Sequence, residues 1–198
     1  MIAEGCYYTS NVKKYMLRLF LFAIISEIPF NLIMGSSVFY PFHQNVLWTF
    51  LLGVLSIQII EKAKKKQKKW ISFFVVCLVL LMDFLLGTIT MVDYNAAGIL
   101  TVLLFYFFRK KTWISFAAQL VGLYYLNVVM LGNLYYPVTI LGHHFEIAQQ
   151  SFALLALIPI WLYHGEQGYH SKWFKYFCYA FYPVHFLILF VIWQWRIR

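Results

Sequence analysis

Long apolar runs follow one another through this chain, and lysine and arginine collect in every second gap between them. A helix needs about 20 mostly apolar residues to cross the hydrocarbon of a bilayer. Roughly seven such runs are legible, over residues 15–34, 46–60, 70–92, 96–108, 113–134, 147–163 and 173–195. The second and fourth are short, and are expected to lean on flanking aromatics or on neighbouring helices. Backbone groups in lipid must be satisfied within the protein, which leaves helices or closed barrels. These runs are too long and too continuous for barrel strands, which alternate apolar and polar residues over about ten positions. The fold class expected is therefore all-α: a polytopic transmembrane helix bundle of about seven spans. It is read as a single integral membrane domain over residues 1–198. With 63% hydrophobic residues and a mean hydropathy of +0.72, little chain is left for a soluble domain.

The basic residues set the orientation. Lys13 and Lys14 precede the first run, and Lys62, Lys64, Lys65, Lys66, Lys68 and Lys69 follow the second. Arg109, Lys110 and Lys111 follow the fourth, and Lys172 and Lys175 follow the sixth. The gaps at 35–45, 93–95 and 135–146 contain neither lysine nor arginine. Positive residues stay on the cytoplasmic side, so the start of the chain is expected inside. Arg196 and Arg198 alone fall on the opposite side. Topology and anionic membrane lipid thus account for the net charge of +9, and no nucleic-acid recognition module accompanies it. Trp48, Trp70, Trp113 and Trp173 lie near run ends as interfacial anchors. Cys6, Cys77 and Cys178 show no disulfide or metal spacing, and the last two are expected to be buried thiols within spans.

An ionisable side chain in hydrocarbon costs several kcal/mol, so each is a functional candidate. Arg18 sits about one turn from the cytoplasmic end of its run, where it can snorkel to the interface. Glu27, Asp83 and His185 each lie about twelve or thirteen residues into spans of the same sense, ~18 Å deep at 1.5 Å per residue. They are expected at nearly one level, as an intramembrane site requires. Arg18 and Glu27 are half a helical turn apart in azimuth and cannot pair. Glu27 must find its partner on another helix, with His185 one candidate. Pro29 follows Glu27 by two residues and Pro183 precedes His185 by two. Each proline removes a helical hydrogen bond beside an ionisable group.

Other motifs carry less. His143-His144-x-Glu146 sits in an external gap and reads as a solvated loop more readily than a metal site, so no metal is assigned. Asp93-Tyr94-Asn95 reads as a polar turn between spans. No G-x-S-x-G, H-E-x-x-H or Walker pattern is present. The last run lacks the lysine that a retinal-binding seven-helix protein needs.

Several stretches together resemble one family. Glu4-Gly5-Cys6-Tyr7-Tyr8-Thr9-Ser10-Asn11-Val12-Lys13-Lys14-Tyr15, then Arg18-Leu19 and Ser26-Glu27-Ile28-Pro29-Phe30, resemble the front half of TraX proteins. The likeness continues through Asn45–Gly53, Asp93-Tyr94, Gly98, Leu162-Tyr163-His164-Gly165 and Gly168, closing on Phe177–His185. That family is associated with N-terminal acetylation of conjugative pilin, and is similar to transmembrane acyltransferases of the acyltransferase-3 type. The resemblance implies transfer of an acetyl group from cytosolic acetyl-CoA to an amine or hydroxyl acceptor, possible acceptors being pilin or a surface glycan, in the bacterial cytoplasmic membrane. It implies His185 as the imidazole for proton transfer, with Glu27 and Asp83 beside it in the catalytic set. Lys13, Lys14 and Arg18 lie where coenzyme A phosphates would approach. Family members carry an earlier helix with an Asp-His pair. The segment Ile2–Tyr8 reads as the last turn of a span whose body is absent from this chain. Two other functions are weighed: a proton-coupled small-molecule transporter using the same three groups as a relay, and a catalytically incomplete membrane scaffold.

Overall fold

A computed structural model of the chain describes residues 2–132, 134–140, 143–163 and 171–197. Helices hold 77% of the structure, and the architecture is the expected helix bundle. A short α1 (Ile2–Tyr8) leads into α2 (Val12–Gly35), whose first turn is capped by the Asn11 side chain accepting from the Lys14 N–H. Then come α3 (Val46–Lys66), α4 (Lys69–Ile89), α5 (Asn95–Phe107) and α6 (Trp113–Tyr124), the last continuing as a π-helical turn over Tyr125–Met130. An antiparallel hairpin of β1 (Tyr135–Ile140) and β2 (His143–Ala148) precedes a 3-10 segment (Gln149–Ala156) and α7 (Leu157–Leu162). The bundle closes with α8 (Lys172–Ile197).

Among the described residues, five helices are long and apolar enough to cross a membrane: α2, α3, α4, the α6 helix with its π turn, and Tyr176–Arg196 of α8. This is a membrane protein. The count of about seven spans is not confirmed, because two of the expected segments form shorter helices. The run at 96–108 becomes the 13-residue α5, about 20 Å long against a hydrocarbon layer of about 30 Å. The run expected at 147–163 is broken: β2 claims its start, and the remainder is half 3-10 helix with Pro159 in the last turn. Composition alone does not separate a short buried helix from a spanning one. The basic segment after the second span also differs from a loop, since α3 runs on to Lys66 with Lys64, Lys65 and Lys66 in its last turn. Cations at a helix C-terminus complement its partial negative charge.

α2 packs between α3 and α8, while α3 and α4 both pack on α5. Leu19, Val54, Ile57, Ile60, Val79, Val102 and Leu103 form the apolar centre, which continues to Ala3 and Cys6 at the lysine-bearing end. Two close approaches fix the α3–α5 and α4–α5 contacts. A Cβ on Gly53 would lie 2.8 Å from Val102, and one on Gly87 would lie 2.7 Å from the Ala96 backbone. The outward faces carry Phe73, Phe74, Trp113, Ile114 and Val191, fully suited to lipid. Cys77 and Cys178 point outward among them, contrary to the expected burial, and Cys6 is the buried thiol.

Candidate functional site

The polar side chains gather where α2 and α8 meet the start of α3, toward the lysine-free end. Phe22 stacks on Tyr179 at 5.0 Å, and Phe30 meets Phe186 edge-on at 5.4 Å. The two helices therefore run side by side in the same direction, and Glu27 falls level with the turn from Tyr182 to His185. The partner of Glu27 comes from α3, however, and is not His185. Trp48 Nε1 donates to Glu27 Oε2 at 3.0 Å, and Asn45 Nδ2 donates to the same oxygen. Asn45, fully buried, also donates to the Ala23 carbonyl at 2.9 Å and accepts from the Leu47 N–H, capping α3. One residue thus joins two helices and starts one of them. The other carboxylate oxygen, Glu27 Oε1, is buried and has no hydrogen-bond partner among the described residues.

On α8, His185 Nδ1 lies 3.1 Å from the Phe181 carbonyl, one turn back. A carbonyl only accepts, so Nδ1 carries the proton and Nε2 of the neutral ring keeps its lone pair. The ring packs between Phe181, Tyr182 and Phe186. Tyr182 faces the Val46 backbone and lies within electrostatic reach of Glu27, Asp93 and Tyr94.

The polar turn Asp93-Tyr94-Asn95 is joined to the α2–α3 connection. His43 Nε2 and Asp93 Oδ1 are 3.2 Å apart, and His43 stacks on Phe30 with ring centroids 5.5 Å apart. Gln44 N–H donates to the Met91 carbonyl and Asp93 N–H to the Gln44 carbonyl, each at 2.9 Å. Thr49 Oγ1 donates to the Asp93 carbonyl at 2.8 Å. Burial and the adjacent Asp93 carboxylate raise the Tyr94 phenol above its usual range, keeping it neutral.

Asp83 lies elsewhere. It is buried, accepts from Ser56 Oγ at 2.7 Å, and leaves Oδ2 without a partner among the described residues. Ser56 is eight residues beyond Trp48 on α3, about 12 Å along the axis. The single level expected for Glu27, Asp83 and His185 therefore holds for two of them. Counting from a helix start gives depth only when the starts are level, and here they are staggered. At the lysine-bearing end, Lys13 and Lys14 open α2 and are exposed, while Arg18 places its guanidinium 6.0 Å from the centre of the Tyr179 ring. Its Nε is buried without a partner among the described residues. A cavity of about 630 Å³ also opens at this end, between α1, the α5–α6 turn and α7. Arg109, Lys110 and Lys111 line it with Glu4, Tyr7 and Trp161. Arg109 stacks over Tyr7 at 3.4 Å and approaches Glu4 at 3.8 Å. Lys111 Nζ donates to the Trp161 carbonyl at 3.1 Å and to that of Tyr163. His143, His144 and Glu146 are exposed on β2, and His144 Nδ1 lies 2.9 Å from Thr139 Oγ1. The motif residues His164, Gly165 and Gly168 lie outside the described residues.

The family model described as TraX protein matches residues 1–193. The chain belongs to the TraX family. No curated protein and no solved structure matches it. In this TraX chain His43 was not among the site residues expected from the sequence, nor were Asn45 and Tyr182, and Trp48 was expected only as an interfacial anchor. The last three lie within the stretches that carry the family resemblance. His43 had a weaker signal, as the histidine of a lysine-free gap ahead of a capped helix.

Proposed function

We propose that this protein is an integral membrane acyltransferase of the bacterial cytoplasmic membrane, moving an acetyl group from acetyl-CoA to an amine or hydroxyl acceptor. TraX membership supports a conjugation-associated, pilin-related membrane protein, and a pilin N-terminus is the acceptor this favours. The observation carrying the chemistry is Glu27, pinned through one oxygen by Asn45 and Trp48 with the other buried and uncommitted. A buried acceptor atom without a partner is costly, and in a native protein it calls for a functional reason.

Acetyl-CoA supplies the activated thioester. Lys13, Lys14 and Arg18 are the cations of α2 available to its phosphates, and Arg109, Lys110 and Lys111 line the cavity at the same end of the bundle. The unpartnered Arg18 Nε fits a role toward an anion. Deeper in, His185 keeps Nε2 free for proton transfer, and the Tyr182 hydroxyl serves as donor to an oxyanion. Glu27 orients the group that enters between them. Asp83, bonded to Ser56 at its own level, acts as a clamp between α3 and α4.

The test is consumption of isotopically labelled acetyl-CoA by membrane vesicles containing the protein, with an amine acceptor present. Glu27→Gln and His185→Ala are both expected to lower transfer, His185→Ala by ~100-fold or more, the usual contribution of a proton-transfer group. A wild-type protein that consumes no acetyl-CoA refutes the proposal, and undiminished variants remove those two residues from it.

A further inference from the structure

His43 and Asp93 come from different interhelical connections, fifty residues apart in sequence, yet meet at 3.2 Å. Their meeting is enforced. The Gln44 and Asp93 backbone bonds zip the two connections together, and Thr49 holds the Asp93 carbonyl from α3. The segment that delivers Asp93 contains three non-glycine residues in the left-handed region, Met91 (φ 50°), Tyr94 (φ 61°) and Asn95 (φ 47°). Such backbone costs of order 1 kcal/mol or more per residue and persists where the surroundings over-determine it. Simple chain reversal needs no such accumulation.

The carboxylate only accepts, so His43 Nε2 carries the proton and Nδ1 of the neutral ring faces away from the pair with its lone pair free. Phe30 stacked on the ring face sets its plane. The side chains of His43 and Asp93 are 41% and 24% exposed, so the pair is reachable from the lysine-free side. Phe30 meets Phe186, next to His185, and Tyr182 lies in reach of both Asp93 and Glu27. The pair and the intramembrane carboxylate therefore share one neighbourhood.

We infer that His43 is the acceptor-side base of the acyl transfer proposed above, with Asp93 as its positioning residue. The inference rests on that reading. As the acceptor nitrogen bonds to the acetyl carbon, the carbon–sulfur bond breaks and its electron pair leaves with the thiolate. His43 Nδ1 takes the first proton from the alkylammonium, freeing its lone pair for attack, and passes it to solvent; the second proton, lost from nitrogen as the amide forms, neutralises the departing thiolate.

A base is needed when the acceptor arrives protonated, and far less when it is already an uncharged nucleophile. Wild-type, His43→Gln and Asp93→Asn proteins are compared in vesicles with a primary alkylamine and with hydroxylamine. Both variants are expected to lose ~100-fold or more with the alkylamine and less than ~3-fold with hydroxylamine. Retained hydroxylamine transfer also reports an intact fold. Equal losses with both acceptors, or none, overturn the inference while leaving the acyltransferase reading in place. No transfer by wild type to either acceptor overturns both. A second readout is independent of turnover: diethyl pyrocarbonate modification of His43, mapped by mass spectrometry. The alkylamine is expected to slow it in wild type and not in Asp93→Asn; absence of protection in wild type counts against the site.

Discussion

Replacing Asn45 by alanine tests the joint on which the site depends. Its side chain caps α3 through the Leu47 N–H, reaches the Ala23 carbonyl, and donates to Glu27. Loss of an N-cap costs about 1 kcal/mol. Removing the Asn donor from a buried carboxylate costs a further ~1–3 kcal/mol, because Glu27 Oε2 keeps Trp48 alone. The expected destabilisation is ~2–4 kcal/mol. Asn45→Ser keeps a capping oxygen but is too short to reach Glu27, so it isolates the second contribution and is expected at ~1–3 kcal/mol. Cys6 provides the assay, being buried while Cys77 and Cys178 are exposed. With the latter two changed to serine, the reaction of Cys6 with a thiol dye during detergent unfolding reports opening of the bundle. Asn45→Ala within ~0.5 kcal/mol of wild type, below the smallest usual capping loss, refutes the argument. Serine no better than alanine refutes the capping part alone.

Three further outcomes follow from the packing. Gly87→Ala is expected to destabilise by ~1–3 kcal/mol and more than Gly53→Ala, since its new methyl meets the Ala96 backbone where that of Gly53 meets the Val102 side chain; equal midpoints in the same unfolding assay contradict this. Ser56→Ala leaves Asp83 buried without its hydroxyl donor and is expected to cost ~1–3 kcal/mol, with Asp83→Asn milder; the reverse order in detergent unfolding removes the clamp role. In intact vesicles a membrane-soluble maleimide is expected to label Cys77 and Cys178 ahead of Cys6, which reacts only after unfolding; Cys6 labelling ahead of the other two shows that α1 does not seal against α3.

What could be read from the chain was what single helices declare for themselves. Apolar length announced α2, α3, α4 and α8, and the azimuth of Arg18 and Glu27 correctly sent them to different neighbours, Tyr179 on α8 and Asn45 with Trp48 on α3. Relations between helices were not legible. The stagger that sets Asp83 beside Ser56, away from the Glu27 level, arises from how α4 docks on α3, and no periodicity within either helix encodes it. His43 and Asp93 meet through two connections whose residues are individually ordinary turn formers. Only the backbone pairing of Gln44 with Met91 and Asp93 makes them a pair. The 147–163 run is not confirmed as one span for a different reason. Its apolar content suits a helix, but the Tyr135↔Ala148 register draws its first residues into a hairpin.

The distribution of unmet polar groups singles out one helix. Among the described residues, the buried side-chain atoms without partners are Arg18 Nε, Ser26 Oγ, Glu27 Oε1, Asn31 Oδ1 and Asp83 Oδ2. All but the last belong to α2, the helix held between α3 and α8. Each such atom costs roughly 1–3 kcal/mol, and in a bilayer no bulk water relieves it. At 100° per residue these positions point to more than one side of the helix, so they do not form a single channel. They place uncommitted donors and acceptors along α2 from the lysine-bearing end at Arg18 to the lysine-free end at Asn31, about 20 Å of rise. A helix that served only to pack would shed these groups for leucine and gain stability. Their retention on the element that also carries Glu27, and that touches Tyr179 and Phe186 of α8 through Phe22 and Phe30, is the pattern expected of a helix whose polar atoms are completed by what it binds.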